Sequence, residues 1–416
     1  MSFPTDRRPA ADQQPSAEPV TGQLPSTTAS AGAGSGFAGS IRPGQLPLLP
    51  TRRVVWGAGT AGRLQELLEE LGACRVLLLT TASLVRQQVL LERVRAACGP
   101  LLVGTISDLA AHVPQAGVRA GAQRCRELKV DGIVSFGGGS VIDAGKAIAA
   151  ELIDEGAGAP VHIALPTTLS GAELSHFYGV SEERPEGPFK QSYARADVTP
   201  AMVVFDPELT VATPVQLWSS SGIKALDHAI EGLLADVPGP VVGSLARLGI
   251  RHMADALLGS LDAQALDHRL ACQIAAWECY VAPGALSHGL SHRIGHVLGG
   301  TYHVPHSLTS AVTLAPVMRA MREKAPEALA EVARALDVDA ALDLSRPAAA
   351  DPLDAPARLE ELIRSAELPS RLREVGIAPT QLPEIAATVR AAYPRAVAQL
   401  GDDGAARLDA LLGDMW

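Results

Sequence analysis

Gly132-Ile-Val-Ser-Phe136-Gly137-Gly138-Gly139-Ser140-Val-Ile-Asp143-Ala-Gly-Lys146 reads as a strand, a tight turn and the first turns of a helix. The apolar run 132–136 is strand-sized. Three glycines without Cβ atoms let backbone N–H groups approach a pyrophosphate, and the helix N-terminus that follows adds partial positive charge. Glycine triplets also serve plain βα turns, so the strand–turn–helix context is what points to phosphate. The spacing departs from GxGxxG, which disfavours the usual dinucleotide fold.

Outward from this turn the chain alternates short apolar runs with helical patterns, the mark of a parallel sheet covered on both faces. Arg75–Thr80, Leu101–Val103, Val161–Leu165 and Met202–Phe205 read as strands, and 83–98 and 116–129 as helices. Leu165-Pro166-Thr167-Thr168-Leu-Ser170-Gly171 is a second strand end rich in hydroxyls, and strand ends are where open α/β sheets bind ligands. After Asp206-Pro207 the spacing turns helical throughout. The expected architecture is an α/β nucleotide-binding domain with a parallel sheet over 51–209 and an all-α domain over 210–416. Residues 1–50, rich in Pro, Ser, Ala, Gly and Thr, read as a disordered tail, a candidate to dock a partner protein.

Composition narrows the function. A formal net charge of −10 without any basic run argues against nucleic acid. No run approaches the roughly 20 apolar residues of a membrane span, and the tail lacks the basic start and apolar core of a secretory signal. Five scattered cysteines with no CxxC pair fit a reducing cytoplasm.

Five of the eleven histidines crowd into 288–306, where His288, His292 and His296 are spaced for one side of a helix that Gly299-Gly300 would stop. Upstream, Ser219-Ser220-Ser221 offers N-caps to a helix whose apolar side holds Ile223, Leu226 and Ile230. Its other side holds Lys224, Asp227, His228 and Glu231, as expected of a solvated face. His162, His176, His288 and His303 read as structural or rim residues. Arg293 is either a surface charge or a binder of an acidic substrate.

Together the chain resembles the iron-containing (group III) alcohol dehydrogenase superfamily, and within it the maleylacetate reductases. The resemblance rests on Gly137–Ser140 with Asp143 and Lys146, Pro166-Thr167-Thr168 with Gly171 and Glu173, Phe205-Asp206-Pro207, and Ser221–Glu231. His292–His306, with His112-Val-Pro114, favours the reductases. It implies an N-terminal α/β domain, a C-terminal helical domain, a cleft holding NAD or NADP, and a homo-oligomer. By that similarity Gly137, Gly138, Gly139, Ser140 and Asp143 contact the pyrophosphate and ribose, Thr167, Thr168 and Ser170 the rest of the cofactor, and Lys190 the nicotinamide. Thr81 stands where NAD-specific members carry an aspartate, which leaves NADP open. In metal-dependent members an aspartate and three histidines hold iron or zinc. His228, His292 and His306 match the histidines, whereas Lys224 stands in the aspartate's place.

An ammonium repels a divalent cation and is no ligand, so the expectation is that Lys224 takes the ion's role, with His228, His292 and His306 kept for substrate and His296 relaying a proton; the alternative is iron or zinc held by His228, His292 and His306 beside a neutral, desolvated Lys224. The expected reaction is hydride transfer between NAD(P)(H) and an alcohol/carbonyl pair in a small molecule or peptide bearing a carboxylate. One form reduces a maleylacetate-like keto acid. Another oxidises a β-hydroxy acid, such as a peptide's C-terminal threonine, with loss of CO2. The alternatives are a lyase or cyclase of the dehydroquinate synthase type, and a cofactor-binding subunit without activity.

Overall fold

The computed structural model describes residues 48–109, 113–184, 187–235, 239–285, 289–337, 351 and 354–416. The tail expectation therefore falls almost wholly outside the described residues, as do His112 and His288. The first half holds strands β1 (Arg53–Trp56), β2 (Val76–Leu79), β3 (Leu102–Ile106), β4 (Gly132–Gly137), β5 (Val161–Pro166), β6 (Phe177–Arg184), β7 (Gly187–Ala194) and β8 (Met202–Phe205). Helices α1 (Leu64–Glu70), α2 (Ala82–Val85), α3 (Gln88–Cys98), α4 (Gln115–Leu128) and α5 (Gly139–Asp154) connect them.

Six strands form a wholly parallel sheet in the order β1-β8-β5-β4-β2-β3. Alternate residues feed opposite faces, as strand geometry requires. Leu78, Val134, Phe136 and Ile163 pack with Leu64, Leu67 and Val94 on one side. On the other, Leu77, Leu79 and Ile133 meet Val118, Ala122 and Ile148. From β2 the chain moves to β3 on one side, while from β4 it moves to β5 on the other. This reversal opens a crevice at the carboxyl ends of β2 and β4, the usual ligand seat of such sheets. Thr81 and the glycine turn flank it. An antiparallel hairpin of β6 and β7 was not foreseen in the sequence; its strands mix charge and aromatics without a long apolar run.

From residue 215 on, the described regular elements are helical. They begin with α6 (Val215–Leu234), α7 (Pro240–Ala256), α8 (Leu266–Ala285), α9 (Leu290–Tyr302) and α10 (His306–Ala320). One core surrounds α6 with Ile223, Leu226, Ile250, Met253, Leu314 and Met318. A second packs Ile294 and Leu298 of α9 against Ile385, Val389 and Leu412 of the last helices. Among the described residues no helix is long and apolar enough to cross a membrane, and all five cysteines are free thiols.

Three local expectations change. Helix α6 starts at Val215, not at the serine triplet. Ser219, Ser220 and Ser221 lie inside it, and their hydroxyls donate to the carbonyls of Val215, Leu217 and Trp218 at 2.9, 3.3 and 2.8 Å, the back-bonding open to a mid-helix serine. The polar side of α6 is not solvated: Lys224, Asp227 and His228 are buried and Glu231 is part-buried, because α9 and α10 cover it. Helix α9 continues through Gly299 and Gly300. It ends at His303, in a left-handed conformation (φ 57°), where the His303 and Val304 N–H groups both return to the Leu298 carbonyl.

Candidate active site

The glycine turn meets the second strand-end turn closely. A Cβ at Gly138 would lie 3.0 Å from Thr168 Cγ2, and one at Gly139 2.9 Å from Ser170 Oγ. A Cβ at either position would press on a hydroxyl side chain of the facing turn, which would have to shift. Ser140 is exposed in the first turn of α5, whose N-terminus faces the crevice with Gly138 and Gly139 part-exposed. Thr167 and Thr168 are buried; the Thr167 carbonyl accepts from Thr213 Oγ1 at 2.8 Å. Thr81 caps α2, its hydroxyl accepting from Leu84 N at 3.4 Å and lying 2.8 Å from Ser83 Oγ. No carboxylate stands at that position. The residues expected at a cofactor thus share one end of the sheet.

Asp143 also has a structural part, accepting from Gly179 N at 3.3 Å. Lys146, fully buried, donates to the carbonyls of Ala172 and Phe177, so it ties the hydroxyl-rich turn and the hairpin to α5. Burial brings its pKa down to about 8 and raises that of neighbouring Glu173 to about 7. The backbone of Lys190 pairs with Ser181 in the hairpin; its side chain lies outside the described residues. His162 is a core residue, 2.8 Å from Ser135 Oγ.

The helical half supplies the chemistry. Lys224 Nζ lies 3.1 Å from Ser310 Oγ, 3.2 Å from His292 Nδ1 and 3.4 Å from Asp227 Oδ2. That same Asp227 oxygen accepts from Ser310 Oγ at 2.5 Å and lies 3.2 Å from His292 Nδ1. Glu231 accepts from the Gly289 and Ser291 backbone N–H groups at 3.0 and 2.7 Å, capping the helix that carries His292 and His296, where a carboxylate is favoured. Burial draws the Lys224 ammonium below the ordinary lysine range against the pull of Asp227 and Glu231. Burial also pushes the Glu231 carboxyl up to about 8; Asp227 adds to this, while Lys224 and the backbone donors oppose it.

Lys224 is therefore not a bare cation among imidazoles. Asp227, one turn further along α6, balances it. The sequence contains both residues, but their pairing depends on His292 and Ser310 arriving from distant segments, and neither Asp227 nor Ser310 stood out.

The imidazoles form a row from the interior to the surface. His228 is buried, 4.8 Å edge-on from Tyr280 and 5.0 Å from His292, between ring centroids. His292 is buried, His296 part-buried and His306 exposed; His296 lies 5.5 Å from His292 and 5.8 Å from His306. Tyr280 also reaches the cofactor side. It hydrogen-bonds Ser175, and a Cβ at Gly171 (φ 73°) would be 2.1 Å from its ring. His303 is exposed at the rim.

The family's aspartate-and-three-histidine set does not fit an ion here. The lysine in the aspartate's place is hydrogen-bonded to Asp227 and Ser310, and among the described residues no converging group includes His228. Two groups do bring donor atoms within 4.8 Å of one another: His292, His296 and His306, and Asp227, Glu231 and His292. A lysine simply replacing an ion therefore gains no support from the donor atoms.

Comparison with known proteins agrees with this geometry. The family described as iron-containing alcohol dehydrogenase matches residues 50–207, and its C-terminal counterpart, the Fe-containing alcohol dehydrogenase family, matches 219–399. The maleylacetate reductase of Burkholderia cepacia is 34% identical over 346 residues, covering 82% of this chain and 90% of that protein. The crystal structure of maleylacetate reductase from Agrobacterium tumefaciens superposes with a TM-score of 0.77 at 28% identity, over 90% of this chain and 99% of that one. An iron-containing alcohol dehydrogenase from Corynebacterium glutamicum gives 0.76 at 25% identity, over 89% and 96%. The chain is an NAD(P)-dependent oxidoreductase by that kinship, and it belongs to the iron-containing alcohol dehydrogenase superfamily, among the relatives of maleylacetate reductase.

Proposed function

We propose that the protein moves a hydride between a nicotinamide cofactor and an alcohol/carbonyl pair in a small molecule or peptide bearing a carboxylate. Arg293 carries this reading. Its guanidinium lies 5.0 Å over the Tyr393 ring, and the same ring is 6.3 Å from His296. Among the described residues Arg293 has no carboxylate partner, although it is part-buried beside the imidazole row. A guanidinium in that setting suits a substrate carboxylate, which it can hold with two parallel hydrogen bonds. The relatives' name, maleylacetate reductase, points to the same substrate class.

The remaining groups take roles consistent with their places. Gly138, Gly139 and Ser140 receive the pyrophosphate at the α5 N-terminus, while Thr167, Thr168 and Ser170 border the cofactor. The reacting carbon sits between that turn and the imidazole row. Reduction of a carbonyl there delivers hydride to carbon and needs a proton at oxygen. His228 supplies it in this reading, since it is buried at the cofactor end of the row against Tyr280, and His292 links it outward.

Two substrate classes meet these demands: a maleylacetate-like keto diacid, reduced at its carbonyl, and a β-hydroxy acid, whose oxidation leaves a β-keto acid that can lose CO2. The test follows the nicotinamide absorbance band with NADH and NADPH against keto acids, and with NAD and NADP against β-hydroxy acids and a peptide ending in threonine. Turnover confined to carboxylate-bearing substrates is expected. Equal turnover of neutral alcohols, or none with any acid, would overturn the reading.

A further inference from the structure

We propose that Tyr280 is a positioning residue for hydride transfer: from α8 it braces the His228 ring against the Gly171 turn, and so sets where the proton donor stands relative to the nicotinamide. The proposal deepens the function proposed above and rests on the role given there to His228.

One side of α8 docks on the carboxyl ends of the sheet. Arg269, Gln273, Trp277 and Tyr280 are spaced for that side. Arg269, fully buried and 4.5 Å over the Trp218 ring, donates to the Thr210 carbonyl at 2.7 Å. Gln273 donates to the carbonyl of Pro166, the last residue of β5, at 3.4 Å. Trp277 lies 6.4 Å from Phe205, the last residue of β8, between ring centroids. Three anchors thus fix α8 on the sheet, and Tyr280, buried one turn further on, inherits their placement.

The Tyr280 ring joins two parts of the site. At one contact it lies on the backbone of Gly171, where φ is 73° and a Cβ would come 2.1 Å from Cδ2, so both the backbone and the ring demand glycine. Its phenol reaches Ser175, whose hydroxyl accepts from Phe177 N at 2.9 Å, while Lys146 holds the Ala172 and Phe177 carbonyls from α5. Residues 171–177 are therefore clamped between α5 and α8. At the other contact the ring meets His228 at 4.8 Å and 88°, an edge-to-face arrangement that aromatic rings favour. The χ2 torsion of histidine is broad and two-fold, so neighbours decide where an imidazole points. Tyr280 is such a neighbour toward the cofactor turn, and His292, 5.0 Å away, is another. Misplacing a reacting group by about 1 Å can cost ~100-fold in rate, which is ample for a residue that acts through another.

The test uses full-length protein saturated with NADH and carrying 13C-labelled histidine rings. The His228 Cε1–H signal is assigned by its loss in His228→Gln, and circular dichroism confirms that each variant is folded. A nuclear Overhauser effect between that proton and the nicotinamide ring is expected in the wild type and lost in Tyr280→Leu. Tyr280→Phe, which restores the ring, should restore it. Gly171→Ala, which drives a Cβ into the same ring without touching His228, should weaken it and keeps the test open if Tyr280→Leu fails to fold. With maleylacetate, kcat should fall about 10–100-fold in Tyr280→Leu with KM little changed, and recover in Tyr280→Phe. A contact that persists in Tyr280→Leu or is untouched by Gly171→Ala would overturn the proposal alone, as would a contact that Tyr280→Phe fails to restore. Its absence from the wild type would remove His228 as donor and the proposal with it. The magnetisation transfer is read without turnover, so a wild type inactive with maleylacetate counts against the substrate reading only.

Discussion

Replacing Lys224 with methionine keeps most of the side-chain volume and removes the ammonium from a site where the lysine side chain is 5% and Asp227 0% exposed. Asp227 would keep two of its partners, Ser310 at 2.5 Å and His292 at 3.2 Å, but lose its counter-charge. Removing one member of a buried pair costs about 3–5 kcal/mol, and the two remaining donors place the expected loss near the lower figure, roughly a hundredfold in the folding equilibrium. The double variant Lys224→Met with Asp227→Asn removes both charges and should recover about 1–3 kcal/mol of the summed single losses. Urea unfolding monitored by circular dichroism measures both, with an unchanged slope required for comparison. If Lys224→Met shifts stability by less than ~0.5 kcal/mol, the scale of ordinary surface changes, the lysine is not the counter-ion of Asp227 and the electrostatic account of the site fails.

Two other outcomes follow from the cofactor half. Gly139→Ala places a Cβ 2.9 Å from Ser170 Oγ, where the two turns meet; NADH affinity by fluorescence titration should fall about tenfold, ~1.4 kcal/mol, with little loss of stability. His162, fully buried, has its pKa lowered by burial to about 3. The native state therefore refuses a proton that the unfolded chain accepts below about pH 6.5. Its contribution is complete above that pH and is lost as pH falls toward 3, by up to ~1.4 kcal/mol per pH unit. His162→Gln, able to keep a bond to Ser135, should flatten the acid limb of a stability–pH curve measured by thermal melting; an unchanged limb would show that the histidine is not held neutral.

The α/β half was legible because buried parallel strands are nearly continuous apolar runs, so Val76–Leu79, Gly132–Gly137 and Met202–Phe205 stand out with no help from their neighbours. The glycine turn was legible for a similar reason, since its residue types answer a local steric demand. The polar side of α6 was not. Periodicity shows that Lys224, Asp227, His228 and Glu231 share a side, but not whether that side meets water or another helix. Here it meets α9 and α10, whose Gly289, Ser291, His292 and Ser310 supply the bonds. A lysine in a metal-binding position invited the idea of a lone cation because its partner three residues away looked solvent-facing. Ser219–Ser221 misled likewise: serine caps helices and also back-bonds within them, and Pro214 already starts this one.

The central claim is that the site is built for a carboxylate held beside the imidazole row. It is tested most directly by the Michaelis constants of Arg293→Gln for a carboxylate-bearing substrate and for a neutral alcohol of similar size. Loss of a charged hydrogen-bond partner worth about 1.5–3 kcal/mol predicts that the first rises ~10–100-fold while the second stays unchanged. Equal changes in both, or no change in either, would contradict the account.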